Sequence, residues 1–128
     1  MAHDPPLVLV VDDEPVLLRL LEVNLRVAGL DVRTAASGNG ALVAARAHTP
    51  DAIVLDLGLP DLGGWDVLAR LRQIDGLSAT PVVVLSGHDR DASAPPDYAA
   101  GVHAFLTKPV EPADLVETLR RALAHTGA

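Results

Sequence analysis

The chain contains no cysteine, which removes disulfide frameworks, thiolate catalysis and cysteine-based zinc sites. Phe, Tyr and Trp occur once each, so a core drawn from the 49% of hydrophobic residues must be almost wholly aliphatic. No apolar run approaches the roughly 20 residues that span a bilayer. The opening Met-Ala-His-Asp-Pro-Pro is neither basic nor followed by a cleavable hydrophobic stretch. A soluble cytoplasmic protein is expected. Basic clusters are also lacking: 10 Lys and Arg stand against 17 Asp and Glu, a formal net charge of −7 that opposes direct binding to nucleic acid or to an anionic membrane. His3, His48, His88, His103 and His125 show no helical i, i+4 pairing or other short ligand spacing, which argues against a histidine metal site.

At 128 residues the chain has room for one full core and not two, so residues 1–128 read as one domain, structured from about 6 to 125. Short β-branched runs alternate with segments of helical period, the pattern of βαβ units and a parallel sheet. Leu7 to Val11 is a continuously apolar first strand, as expected for a strand covered on both faces. Pro15 to Ala28 follows as a helix, with proline in its first turn and Gly29 just past its end. Asp31 to Ala35 is an alternating edge strand, and Ser37 is an N-cap for an Ala-rich helix running to about His48. Ala52 to Leu55 is the third strand. Pro60 and Gly63-Gly64 then impose a loop before a helix over Trp65 to Leu71, in which Trp65 is expected to be partly exposed. Pro81 to Leu85 and His103 to Leu106 complete the strands, and a last helix from about Pro112 buries Leu115, Val116, Leu119 and Leu123. The predicted architecture is a doubly wound α/β sandwich: a five-stranded parallel sheet with helices on both faces.

Sheets of this kind bind ligands beyond the carboxyl ends of their strands. Those positions hold Asp12 and Asp13, Asp56, Ser86 and Lys108. Taken singly, an Asp-Asp pair is a cap or a solvated turn, Ser86 a turn residue and Lys108 a surface charge. The fold gathers them at one edge, and their coincidence there carries the functional reading. Three carboxylates in one pocket repel, and a hard divalent cation relieves the repulsion. Mg²⁺, with Mn²⁺ as a substitute, takes one or two carboxylates plus a phosphate oxygen, which suits Asp13 and Asp56 directly and Asp12 through water. Asp56 is then the candidate nucleophile, forming an acyl phosphate, with Lys108 as the neutralising cation and Ser86 as a donor to a phosphoryl oxygen.

These residues sit in longer motifs. Val10-Val11-Asp12-Asp13-Glu14-Pro15, Asp56-Leu57-Gly58-Leu59-Pro60 with Gly63-Gly64, Leu85-Ser86-Gly87, and Gly101-Val102-His103-Ala104-Phe105-Leu106-Thr107-Lys108-Pro109 together make the whole chain resemble a bacterial two-component response regulator receiver domain of the chemotaxis-regulator kind. The resemblance implies a flavodoxin-like fold of strand order 2-1-3-4-5. It implies phosphotransfer to Asp56 from a histidine kinase or phosphotransfer protein, self-catalysed dephosphorylation, and no other enzymatic activity. It also places the Gly58 backbone carbonyl in the Mg²⁺ shell, makes Ser86 and Phe105 the switch pair, and expects a cis bond between Lys108 and Pro109.

The chain departs from the family between Ser86 and Gly101. There Pro95 and Pro96 remove two amide donors, so the fourth helix of the family is expected to be short, displaced or irregular. The dimerising face built on that helix is altered with it, and the oligomeric state stays open. His88, two residues after Ser86, and the bare Gly58 are positions that tune dephosphorylation in the family. Two rival functions fit these residues less well. A phosphatase that works through an aspartyl phosphate needs a second acid two residues after its nucleophile, where this chain has Gly58. A pseudo-receiver, an interaction module that is never phosphorylated, would not need all the pocket positions filled as they are here. The sequence carries no recognisable output segment, so the expectation is a stand-alone receiver or one domain of a larger protein, acting on a downstream protein target or through a missing effector domain.

Overall fold

The computed structural model describes residues 4–87 and 101–126. The stretch containing His88, Pro95 and Pro96, and with it the expected irregular fourth helix, lies outside the described residues. Within them the chain runs β1 (Leu7–Val11), α1 (Pro15–Val27), β2 (Asp31–Ala35), α2 (Gly38–Ala47), β3 (Ala52–Asp56), α3 (Gly64–Arg72), β4 (Val82–Ser86), β5 (Val102–Thr107) and α4 (Pro112–Thr126). The five strands are parallel in the order β2-β1-β3-β4-β5, as expected. No described helix is long and apolar enough to cross a membrane.

Strand alternation divides the interior into two layers. Leu9, Val11, Ile53, Leu55, Val82 and Val84 point to the face covered by α2 and α3, where Ala41, Ala45, Val67, Leu68 and Leu71 pack on them. Val8, Val10, Val32, Val54, Val83 and Leu85 point the other way, beneath Leu21 and Leu25 of α1 and Leu115 and Leu119 of α4. The three central strands are buried at every position. Their unbroken Val-Leu-Ile runs are what two-sided coverage demands.

The helix ends follow local chemistry. Pro15 occupies the first turn of α1, where its missing amide costs nothing. At the other end Gly29 adopts φ +92° and the Leu30 amide donates to Leu25 O at 3.0 Å, the left-handed closure that favours glycine. Ser37 Oγ accepts from the Gly40 amide and caps α2. Arg72 at the end of α3 donates to the carbonyls of Leu77 and Thr80, and to Gly101 O at 2.7 Å, tying the turn before β4 to the start of β5.

Trp65 differs from the sequence expectation: only 8% of it is exposed, and it belongs to the layer beneath α2 and α3. Its ring meets that of Phe105 on β5, with centroids 6.1 Å apart and planes at 52°. Phe105 itself is 45% exposed, so the large apolar surface at this corner is shared between a covered indole and a half-open phenyl ring.

Candidate functional site

Strand register brings the acidic residues together. Val11 pairs with Leu55 across β1 and β3, so Asp12 and Asp56, each one residue further, emerge side by side at the carboxyl edge. Asp56 pairs in turn with Leu85, and Ser86 with Thr107, which places Ser86 and Lys108 at the same edge on the neighbouring strands. A β3 strand that extends through Asp56 and a β4 strand that extends through Ser86 each reach one residue beyond the sequence reading.

Asp12 is fully buried, Asp56 is 3% exposed, Ser86 is buried and Asp13 is open to solvent. Carboxylate oxygens of Asp12, Asp13 and Asp56 lie within 4.8 Å of one another. Lys108 Nζ stands among the acids, 3.0 Å from Asp12 Oδ2, 3.1 Å from Glu14 Oε1 and 3.4 Å from Asp56 Oδ2. The other oxygens are held by backbone: Asp12 Oδ1 accepts from the Glu14 amide at 2.8 Å, and Asp56 Oδ1 accepts from the Gly58 amide at 3.1 Å. Asp12 Oδ2 has no backbone donor and is paired with the Lys108 ammonium. Among the described residues, three carboxylates, those of Asp12, Glu14 and Asp56, thus share the Lys108 ammonium, with Asp13 beside them.

The electrostatics follow from this crowding. Burial raises the Asp56 pKa; the Gly58 amide opposes that, the Asp12 charge adds to it, Lys108 again opposes it, and the net direction is upward. Burial works to lower the Lys108 pKa, but Asp12, Glu14 and Asp56 outweigh it and hold the ammonium charged well above its ordinary range. A pocket with surplus negative charge and oxygen-only side-chain donors fits a hard divalent cation. Asp12, Asp13 and Asp56 could hold it.

Gly58 sits directly on the Asp56 carboxylate, since a Cβ there would lie 3.8 Å from Oδ1 and 3.9 Å from Oδ2. The Lys108–Pro109 bond is cis, and the Lys108 amide donates to Ser86 O at 2.7 Å. Phe105 is not in the pocket; three residues before Lys108, it lies on the outer side of β5 against Trp65. Sequence reasoning gave no role to Glu14 beyond its place in the acidic motif, and none to Asp61. Asp61 accepts from the amides of Gly38 and Asn39 at the start of α2. An acid following the Asp12-Asp13 pair was a legible signal for Glu14; no spacing rule points to Asp61.

Comparison with known proteins agrees with this fold. The curated relatives include the transcriptional regulatory protein KdpE of Mycobacterium tuberculosis, 45% identical over 122 residues that make up 95% of this chain and 53% of that protein. PrrA of Mycobacterium bovis is 40% identical over 123 residues, 96% of this chain and 52% of the relative. This chain therefore spans about half the length of these relatives. Among solved structures, the chemotaxis response regulator CheY4 of Vibrio cholerae superposes with a TM-score of 0.83 at 30% identity, covering 92% of this chain and 98% of that one. The receiver domain of the Francisella response regulator 1452 does so with a TM-score of 0.83 at 29% identity, covering 94% and 98%. The profile of the response regulator receiver domain matches residues 8–120, and the chain belongs to that family.

Proposed function

We propose that this chain is a phosphorylation switch in which Asp56 accepts a phosphoryl group from the phosphohistidine of a histidine kinase or phosphotransfer protein. The observation that carries the reading is the packing of the Asp12, Asp13 and Asp56 carboxylates within 4.8 Å of one another, with the Lys108 ammonium against Asp12 and Asp56. An Asp56 oxygen attacks phosphorus, the P–N bond breaks, and the imidazole leaves with the bonding pair, giving an acyl phosphate on the protein. Asp13, Asp56 and the Gly58 carbonyl would hold Mg²⁺ or Mn²⁺, with Asp12 acting through water. When bound, the ion neutralises charge on the phosphoryl oxygens.

Lys108 stands 3.4 Å from Asp56 Oδ2 and is free to exchange that contact for a phosphoryl oxygen. The Ser86 hydroxyl, at the end of the adjacent strand, donates to another. Its movement toward the modified Asp56 lets Phe105 shift relative to Trp65, so the corner formed by β5 and α3 is the face that changes. The modification moves a two-state equilibrium only by the difference in its contacts between the states. Water attacking phosphorus breaks the P–O bond to Asp56, frees the carboxylate and inorganic phosphate and resets the switch, and no further reaction is catalysed.

The phosphodonor docks on α1. Val16, Leu20, Val23 and Val27 recur at i, i+4, i+7 and i+11 on the side of α1 opposite Leu21 and Leu25, and are 84%, 46%, 42% and 83% exposed. This stripe begins three residues after Asp13, so a helix lying on it would present a histidine to the pocket. Output passes to a downstream protein or to an effector domain in a longer chain, in the cytoplasm and without direct nucleic-acid contact by this domain.

Incubation with acetyl phosphate and Mg²⁺, read by intact mass, tests the proposal. One phosphoryl adduct, absent with EDTA and absent in Asp56→Ala, is expected. A chain that stays unmodified would instead be an interaction module, and sustained phosphate release from varied esters would identify a phosphatase.

A further inference from the structure

The first three amides of a helix such as α2 have no acceptor within the helix. Ser37 serves the third of them, accepting from the Gly40 amide at 3.0 Å. The amides of Gly38 and Asn39 donate instead to Asp61, to Oδ1 at 2.8 Å and Oδ2 at 3.0 Å, from the loop that joins β3 to α3. Oδ1 also accepts from the Leu62 amide at 3.0 Å, so both oxygens are engaged. Those amides hold the Asp61 pKa below its ordinary value and keep it ionised.

The tethered loop is the one that reaches the pocket. Its Gly58 amide grips Asp56 Oδ1 at 3.1 Å. Its far end is closed by the Gly64 amide on Leu57 O at 3.3 Å, and a Cβ on Gly64 would lie 2.6 Å from Leu57 Cα. Leu57, Leu59 and Leu62 pack from below against the α2 and α3 layer. At α2 the fit is equally close, because a Cβ on Gly38 would meet Val67 Cγ2 at 2.8 Å and Leu62 Cβ at 3.0 Å. The loop is therefore seated on apolar contacts that resist lifting, while the Asp61 bonds resist sliding along α2.

We infer that Asp61 is a positioning residue: by fastening the β3–α3 loop to the first turn of α2 it keeps the Gly58 amide on Asp56, and so fixes the carboxylate in the orientation that takes the cation and the phosphoryl group. This rests on the phosphoacceptor reading of Asp56. Asp61 touches neither the cation nor the reacting atoms.

Calorimetric Mg²⁺ titration and the rate of phosphorylation by acetyl phosphate test it, in wild type, Asp61→Ala, Asp61→Asn and Ser37→Ala. The titrations use about 0.5 M KCl, so that the lost charge of Asp61 is screened. Asp61→Ala weakens Mg²⁺ binding about tenfold, the scale on which partners of metal ligands act, and slows phosphorylation by a similar factor. Asp61→Asn retains one acceptor oxygen and falls between. Ser37→Ala removes a cap from the same helix end without touching the loop, so it lowers the thermal midpoint but leaves Mg²⁺ affinity at the wild-type value. Wild-type affinity and rate in Asp61→Ala would overturn the inference, as would an equal loss in Ser37→Ala, which would reduce the effect to helix stability. A wild-type protein that neither binds Mg²⁺ nor accepts a phosphoryl group would bring down the phosphoacceptor reading itself, and this inference with it.

Discussion

Replacing Lys108 with methionine removes the one cation that the described residues place in the acidic pocket, while keeping an unbranched side chain of similar reach. In the native protein the ammonium is 3.0 Å from a fully buried Asp12 oxygen, 3.1 Å from exposed Glu14 and 3.4 Å from nearly buried Asp56. The Glu14 contact is solvent-screened and contributes about 0–1 kcal/mol. Leaving a buried carboxylate without its partner costs about 3–5 kcal/mol in a dry site. Lys108 is 17% exposed, so water replaces part of the lost contact, and the net cost is nearer 2–3 kcal/mol by that same scale. Urea unfolding of Lys108→Met in EDTA should show this deficit, with a thermal midpoint lower by roughly 10 °C for a domain of this size. Saturating Mg²⁺ supplies the missing positive charge and stabilises by about 2.7 kcal/mol at a hundred times its Kd. The variant gains more from it than wild type does, because its pocket is the more negative, and the gap should shrink to under about 1 kcal/mol by that linkage. Adding Asp12→Asn to the variant should restore much of the stability lost in EDTA. A variant as stable as wild type in EDTA, or a deficit that Mg²⁺ leaves unchanged, would refute the idea that Lys108 and a divalent cation answer the same excess of charge.

Two further outcomes follow. Because burial and Asp12 raise the Asp56 pKa, the folded state holds that proton more tightly than the unfolded chain, whose aspartates titrate near about 3.9. The contribution to stability is fully present below the unfolded pKa and is lost as pH rises through the folded one. Without Mg²⁺, Asp56→Asn should therefore be more stable than wild type at pH 7, with the advantage fading toward pH 4; thermal melts across that range check the sign. On α1, Leu20→Glu leaves the folded domain within about 0.5 kcal/mol of wild type because the site faces solvent. It should cut transfer from a phosphorylated histidine donor at least about tenfold, the effect of losing one anchor at an interface, while phosphorylation by acetyl phosphate is unchanged.

The strands and the acidic edge were legible because each rests on a local rule. Unbroken runs such as Leu7 to Val11 and Val82 to Leu85 signal burial on both faces, and the residue that follows each is placed at the binding edge by the parallel topology alone. Helix boundaries came within a residue or two where Pro15, Ser37 and Pro112 marked the starts. What could not be read depended on tertiary meetings. Trp65 is the second residue of a nine-residue helix whose period does not say what covers its first turn, and its burial depends on packing across the layer. Asp61 reaches amides 22 and 23 residues away, a link that only the folded chain reveals. Glu14 has the charge but not the spacing of a partner, since 94 residues separate it from Lys108.

The most direct measurement locates the covalent bond. Protein treated with acetyl phosphate and Mg²⁺ is reduced with borohydride, which converts an acyl phosphate of aspartate to homoserine, and then mapped by peptide mass spectrometry. The account predicts homoserine at position 56 alone, lost when Mg²⁺ is withheld. Reduction at Asp12 or Asp13, or no reduced residue in any peptide, would contradict it.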